Sequence, residues 1–264
     1  MQVVSLFIYP VKSLRGVPVD VMKLDDFGPE SDRRWMLVDA SNSFVTQRTH
    51  PALALIDLAI SDGGLLSVSV PGGGAGERLF PGGQEIRVRV WNDWVLAREA
   101  EEGASRLVSD YLGEEVRFVY MPDSTVRRVD TQRVFEERRV GFADGFPFLI
   151  VNQASLDDLN QKLDTPVDIR HFRPNIVVSG ETPWQEDGWV ELAVGQVPFR
   201  LVKPCSRCVM TTVDPERGVK SANLEPLRTL GRFRRTPDGV MFGMNAIHNG
   251  SPGQIAVGDP VSFV

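Results

Sequence analysis

Short apolar runs separated by turn signals predict a mainly β protein with a few helices, an α+β fold. Several runs alternate apolar and polar residues as half-buried strands do, Gly and Pro punctuate them throughout, and only a few stretches carry helical spacing. In chain order, residues 3–9, 35–38, 54–59, 65–70, 86–91 and 94–98 read as strands, with Asn92-Asp93 as a hairpin turn between the last two. Residues 71–83, rich in Gly and Pro, read as an exposed loop without a phosphate-binding glycine pattern. Residues 101–112 show i, i+3, i+4 apolar spacing and stop at Gly113, which predicts an amphipathic helix, and 116–120 reads as the strand after it. The polar, Arg-rich stretch 121–139 breaks the pattern and predicts a division into regions 1–122 and 123–264. In the second region, 155–163 and 224–233 read as helices and 175–179 as a strand. Residues 189–192 and 197–203 form a hairpin about Val194-Gly195-Gln196, and 240–244 and 255–261 close the set. A small barrel is the economical architecture for so many short strands, because closure removes exposed sheet edges.

The chain has 264 residues, 42% of them apolar and 24% charged, which is ordinary globular composition. A net charge of −6 argues against nucleic acid as the main partner. No apolar run is long enough to span a bilayer, and the chain runs almost directly into its first strand without a signal-peptide pattern, so the expected location is cytoplasmic.

The only two cysteines, Cys205 and Cys208, lie in Lys203-Pro204-Cys205-Ser206-Arg207-Cys208 between two β-like runs. Neighbouring Arg207 and Lys203 favour thiolates, the form that ligates metals and attacks electrophiles. Three other readings stand beside this one: packed thiols, half of a zinc site, and a redox dithiol. The zinc reading lacks a second Cys/His pair, since His50, His171 and His248 are isolated in the sequence. The dithiol reading expects a helix after the first cysteine, where β-like residues follow. Two cysteines in this setting are too few for an iron–sulfur cluster, and the expected intracellular setting argues against a structural disulfide.

Five motifs in order, Tyr9-Pro10-Val11-Lys12-Ser13, Asp32-Arg33-Arg34-Trp35, Phe172-Arg173-Pro174-Asn175, Cys205-Ser206-Arg207-Cys208 with Thr211-Thr212-Val213-Asp214-Pro215, and Val257-Gly258-Asp259-Pro260-Val261, together resemble the MOSC-domain proteins. Within that group the likeness is to the mitochondrial amidoxime-reducing components and their bacterial relatives, and it covers nearly the whole chain. The resemblance implies an N-terminal β-barrel region followed by a MOSC β-barrel, with a molybdenum cofactor, a pterin dithiolene holding molybdenum, bound between them. It implies Cys208 as the molybdenum ligand, with Lys12, Ser13, Arg33 and Arg173 on the cofactor's phosphate. It also implies contacts to the pterin from Asp144, Gly145, Phe146, Asn175, Ser206, Arg207 and Asn245. Cys205 is left a supporting role, Arg48 is expected to face solvent, and Asp214 is a candidate proton donor or simply a turn residue. Pyridoxal phosphate binding is a further association at family level.

The implied activity is reduction of small N-hydroxylated compounds, such as hydroxylamines and amidoximes, to the amine or amidine with two electrons and two protons. The mitochondrial members' membrane anchor and the iron–sulfur domain fused to some bacterial members have no counterpart in this sequence, so electrons are expected from a separate protein of the ferredoxin, flavoprotein or cytochrome type. The competing expectation is a cofactor carrier or sulfur-handling protein, since the C-terminal part of molybdenum-cofactor sulfurases shares the MOSC fold.

Overall fold

A computed structural model describes residues 1–61 and 64–263. Among the described residues the fold is mostly β with three α-helices, in line with the few helices the sequence predicts. Its largest sheet has nine strands, in the order Val261–Phe263, Glu191–Val194, Val197–Arg207, Gly239–His248, Phe148–Asn152, Ile176–Val178, Val3–Ile8 and Val17–Val19, with Arg235–Thr236 paired to Gly239–His248 at one end. Val21–Asp25, Gly28–Pro29 and Gly253–Ala256 form a small companion sheet. Leu6, Ile8, Met22, Leu24, Phe148, Ile150, Ile176, Phe199, Met244 and Ile255 from both sheets share one buried core. Each such side chain contributes roughly 1.5–3 kcal/mol on removal from water.

The first strand of the chain therefore lies in the sheet of the second half: Val3 pairs with Val178 and Leu6 with Ile176. The intervening residues build the other region. Trp35–Val38, Arg117–Tyr120, Asp93–Glu99 and Glu85–Val90 form a four-stranded antiparallel sheet, and Asp57–Ile60, Leu66–Ser69 and Glu77–Arg78 a three-stranded one. Leu37, Val68, Ala104, Val108 and Phe118 join these strands to the helix Glu102–Leu112. Gly113 ends that helix in the left-handed conformation, φ 72°, which glycine adopts without a Cβ penalty.

Several sequence expectations shift in the structure. Residues 54–59 are not one strand: Pro51–Leu55 is a 3-10 helix with Pro at its start, and the strand begins at Asp57. The expected hairpin turn at Asn92-Asp93 lies one residue earlier, because Asp93 already pairs with Val90 and leaves Trp91-Asn92 as the loop. Trp91 takes φ 55° there, a position that glycine usually fills. Residues 255–261 split between two sheets, Gly253–Ala256 pairing with Val21–Asp25 and Val261–Phe263 with Glu191–Val194. The fully buried strand Phe148–Asn152 escaped the sequence reading, since it is covered on both faces and shows no alternation. Phe148 and Ile150 enter the barrel core, while Leu149 and Val151 lie under the helices with Phe172 stacked on Phe242 at 3.8 Å.

Candidate functional site

Two turns from distant parts of the chain are sewn together at the junction of the regions. The Lys12 amide donates to the Trp35 carbonyl at 2.8 Å, Trp35 to Pro10 at 3.0 Å, and Arg33 to Tyr9 at 2.7 Å. Phe142 donates to the Arg33 carbonyl at 2.7 Å, and Gly141 is required beside it because a Cβ there would stand 2.6 Å from the same oxygen. This brings Lys12, Ser13, Arg33 and the 143–146 segment around one cavity of ≈ 630 Å³, completed by Phe172, Arg173, Asn175, Cys205, Arg207 and Asn245. A second cavity of ≈ 920 Å³ continues from it past Arg48, Trp91, His171 and Ser206 to Cys208. All twelve residues expected from the sequence line one or both.

Four residues of these walls, Ser13, Arg33, Trp91 and Arg173, hold positive φ without being glycine, at 68°, 47°, 55° and 53°. Such conformations cost about 1–3 kcal/mol each and persist where surrounding contacts over-determine them. For Arg173 one contact is its Nη1 donating to the Leu14 carbonyl at 2.6 Å. For Trp91 it is the indole Nε1 donating to Asp144 at 3.1 Å. For Ser13 it is its own carbonyl accepting from Gln47 Nε2 at 2.7 Å.

The cavity is built for an anion. Lys12, Arg33, Arg48, Arg173 and Arg207 face it, with Asp144 as the carboxylate on its lining. Lys12 is buried, donates to the Phe142 carbonyl at 2.8 Å and pairs with Asp144. Burial pulls its pKa down to about 8 against the pull of Asp144. Burial likewise lowers Arg173 to about 10, with Tyr9 opposing and Arg33 adding to the shift. Burial pushes the Asp144 carboxyl up, but Lys12 and Arg48 outweigh it and hold it well below the usual carboxylate range. Of the residues lining the cavities, the buried atoms Ser13 Oγ, Arg173 Nη2 and Arg207 Nε have no hydrogen-bond partner among the described residues. Buried polar atoms are almost always paired, so unpaired donors converging on one cavity fit a phosphate-bearing group that supplies the missing acceptors.

Individual roles differ from the expectations. Asn175 lines the cavity, but its side chain is committed elsewhere. Its Oδ1 accepts from Leu149 N at 3.2 Å and Arg33 Nη1 at 3.1 Å, and its Nδ2 donates to Asp32 at 3.1 Å and the Phe7 carbonyl at 3.2 Å. It holds Arg33 and the barrel strands in place. Arg48, expected in solvent, faces the site instead: its Nη2 lies 3.1 Å from Asp144. Burial lowers its pKa, but Asp144 and the Cys208 sulfur beside it outweigh that and raise it. Its guanidinium also covers Trp91 at 4.7 Å from the ring centroid. Cys205 Sγ accepts from Arg207 Nη1 at 2.9 Å, and Arg207 Nη2 donates to the Phe172 carbonyl at 2.7 Å. Asp214 is a turn residue, its carboxylate accepting from the amides of Glu216 at 2.8 Å and Arg217 at 3.1 Å. Among the described residues no three His, Cys, Asp or Glu side chains gather to hold a metal, and His50 pairs with Glu114 at 2.9 Å, so the zinc half-site finds no other half.

Residues 137–262 match the MOSC domain model and residues 1–115 the MOSC N-terminal beta barrel domain model. Mitochondrial amidoxime-reducing component 1 of Homo sapiens is 35% identical over 98% of this chain and 82% of its own length. The chain belongs to the MOSC family of amidoxime-reducing components. The Mus musculus component 1 is 33% identical over 98% of the chain and 81% of its length, and the Homo sapiens component 2 is 30% identical over 98% and 82%. This MOSC family is associated with the molybdenum cofactor. Its relatives are mitochondrial by name, which corrects the expectation of a cytoplasmic protein, an expectation that rested on the absence of a leader pattern. No helix among the described residues is long and apolar enough to cross a membrane. Pyridoxal phosphate binding finds no support among these relatives either.

Proposed function

We propose that this chain reduces N-hydroxylated compounds such as amidoximes to the amidine, using a molybdenum cofactor held between its two regions and electrons from a separate one-electron carrier protein. The observation that carries the reading is the set of unpaired buried donors beside the wall that presents Cys208. The relatives are amidoxime-reducing components by name, and the word component accords with a separate electron donor.

When bound, the cofactor supplies the two-electron chemistry that breaks the N–O bond. The chain's own residues hold and shape it. Lys12, Ser13, Arg33 and Arg173 would take the phosphate by charge-assisted hydrogen bonds, and Arg207 Nε adds one more donor. Cys208 would supply the protein thiolate, a soft ligand suited to molybdenum. Arg48, from the other region, stands beside that sulfur on the same cavity. Asp144 orients Lys12, Arg48 and Trp91 together. Phe146, Gly145 and Asn245 form the wall between the two cavities, where the pterin would lie. Ser206 is exposed on the outer cavity, and Cys205 is held by Arg207 as a positioning contact.

The test is molybdenum and pterin content of the purified protein with Cys208→Ser and Cys205→Ser variants, each assayed for benzamidoxime reduction by reduced viologen. Metal in the wild type with activity lost only in Cys208→Ser is the expected result. Absence of molybdenum and pterin after expression in a cofactor-competent host overturns the reading, and rapid transfer of bound cofactor to an apo-enzyme without turnover replaces it with the carrier.

A further inference from the structure

His171 ends the 3-10 turn Ile169–His171 and lines the same cavity as Cys208. Its Nδ1 lies 2.9 Å from the Thr211 carbonyl oxygen. A carbonyl only accepts, so Nδ1 carries the hydrogen and the tautomer is fixed. Thr211 in turn is tied to the metal-ligand position, its amide and its Oγ both donating to the Cys208 carbonyl, at 3.0 and 2.9 Å. The imidazole is thus anchored within one turn of Cys208. Its other nitrogen, Nε2, has no partner among the described residues, and the ring is only half-buried, so solvent can reload it.

The other ionisable groups around this cavity are poor acids. Arg48 and Arg173 keep their protons throughout the working range, and Arg207 is engaged by Cys205 Sγ and the Phe172 carbonyl. Asp144 is held ionised by Lys12 and Arg48. Lys12 lies in the inner cavity, engaged by Asp144 and a carbonyl, and Lys203 stands 3.9 Å from Asp130. Cys205 is held by Arg207, and Cys208 is the proposed ligand. On His171's own turn, Asp168 pairs with Arg170, which also binds Glu216. The Val209–Thr212 turn packed against it carries no charged side chain. An imidazole is the group best suited to giving up and regaining a proton near neutral pH.

We propose that His171 is a catalytic acid of the reduction, donating the Nε2 proton to the oxygen that leaves nitrogen. This rests on the reductase reading above. The reaction balances as amidoxime plus two electrons from the carrier protein plus two protons, giving amidine and water. The N–O bond breaks, the nitrogen is reduced, the oxygen departs in water, and the histidine regains its proton from solvent.

The experiment compares wild type, His171→Gln and His171→Ala with benzamidoxime and reduced viologen, expressing kcat per bound molybdenum. Loss of the acid is expected to lower kcat on the order of a hundredfold while KM changes less than about threefold. An acid must be protonated to act, so the wild-type rate is expected to fall at high pH and both variants to lose that limb. Added imidazole restores His171→Ala. Independently of activity, nitrogen NMR of the cofactor-free wild type shows hydrogen on Nδ1 of the neutral ring. Turnover in His171→Gln within about threefold of wild type, or hydrogen on Nε2 of the neutral ring, overturns the role while the reductase reading stands. A molybdenum-loaded wild type that does not turn over overturns both.

Discussion

Lys12 sits beside Asp144 on the cavity wall with its pKa drawn down to about 8 by burial. An anion binds the ammonium form, so binding above that pH must first take up a proton. Phosphate affinity of the cofactor-free protein is therefore expected to fall on the order of tenfold between pH 8 and 9.5, and Lys12→Met to remove most of that slope. Isothermal titration with inorganic phosphate checks this, and a flat profile in the wild type contradicts it. Asn175→Ala makes a different prediction, because it takes a side-chain partner from the Leu149 amide and the Phe7 carbonyl in a buried place, while Asp32 Oδ1 keeps the Tyr9 amide. It should destabilise by about 2–3 kcal/mol, visible as a loss of several degrees in Tm. The motif-borne residues were legible in the sequence because each belongs to a contiguous string. Arg48, Trp91 and His171 were not, since each reaches the site through a contact, to Asp144 or to Thr211, that only folding creates.

Among the elements, the long strand Val197–Arg207 is bent by irregularities between Leu201 and Lys203 and between Pro204 and Ser206. These carry the two cysteines out of the barrel wall and into the cavity, as bulges commonly re-aim side chains near active sites. Opposite them Gly239 takes φ 125°, and a Cβ there would stand 2.2 Å from Ser206 Oγ. Gly239→Val should displace the 206–208 segment, with molybdenum content falling at least as far as stability does; equal metal loading would show that the segment tolerates the side chain. Strand and helix types were readable where alternation or capping marked them, as at Glu102–Leu112 with Gly113. Registers were not, because a one-residue shift at Trp91-Asn92 or a 3-10 start at Pro51 is decided by tertiary pairing.

At the scale of the whole molecule, the two halves are interleaved through Val3–Ile8, which pairs with Ile176–Val178. A fragment of residues 123–264 alone lacks that strand and exposes a row of unpaired backbone groups beside a core missing Leu6 and Ile8. It is expected to be insoluble or molten, with broad NMR lines, and to recover order when residues 1–122 are co-expressed; a sharp, cooperative melt of the fragment alone would contradict this. Composition and strand frequency announced the mostly β class, whereas the crossing of the first strand into the last sheet left no local trace, as pairings between residues so far apart in sequence never do.

That crossing also sets an order of events during synthesis. The opening strand leaves the ribosome long before Ile176–Val178 exists to receive it, and Cys208 and the Gly239–His248 strand emerge later still. Lys12, Ser13 and Arg33 cannot meet Arg173 and Cys208 until all five have been synthesised, so a ligand that needs both sets of residues finds no partial site on the first half alone.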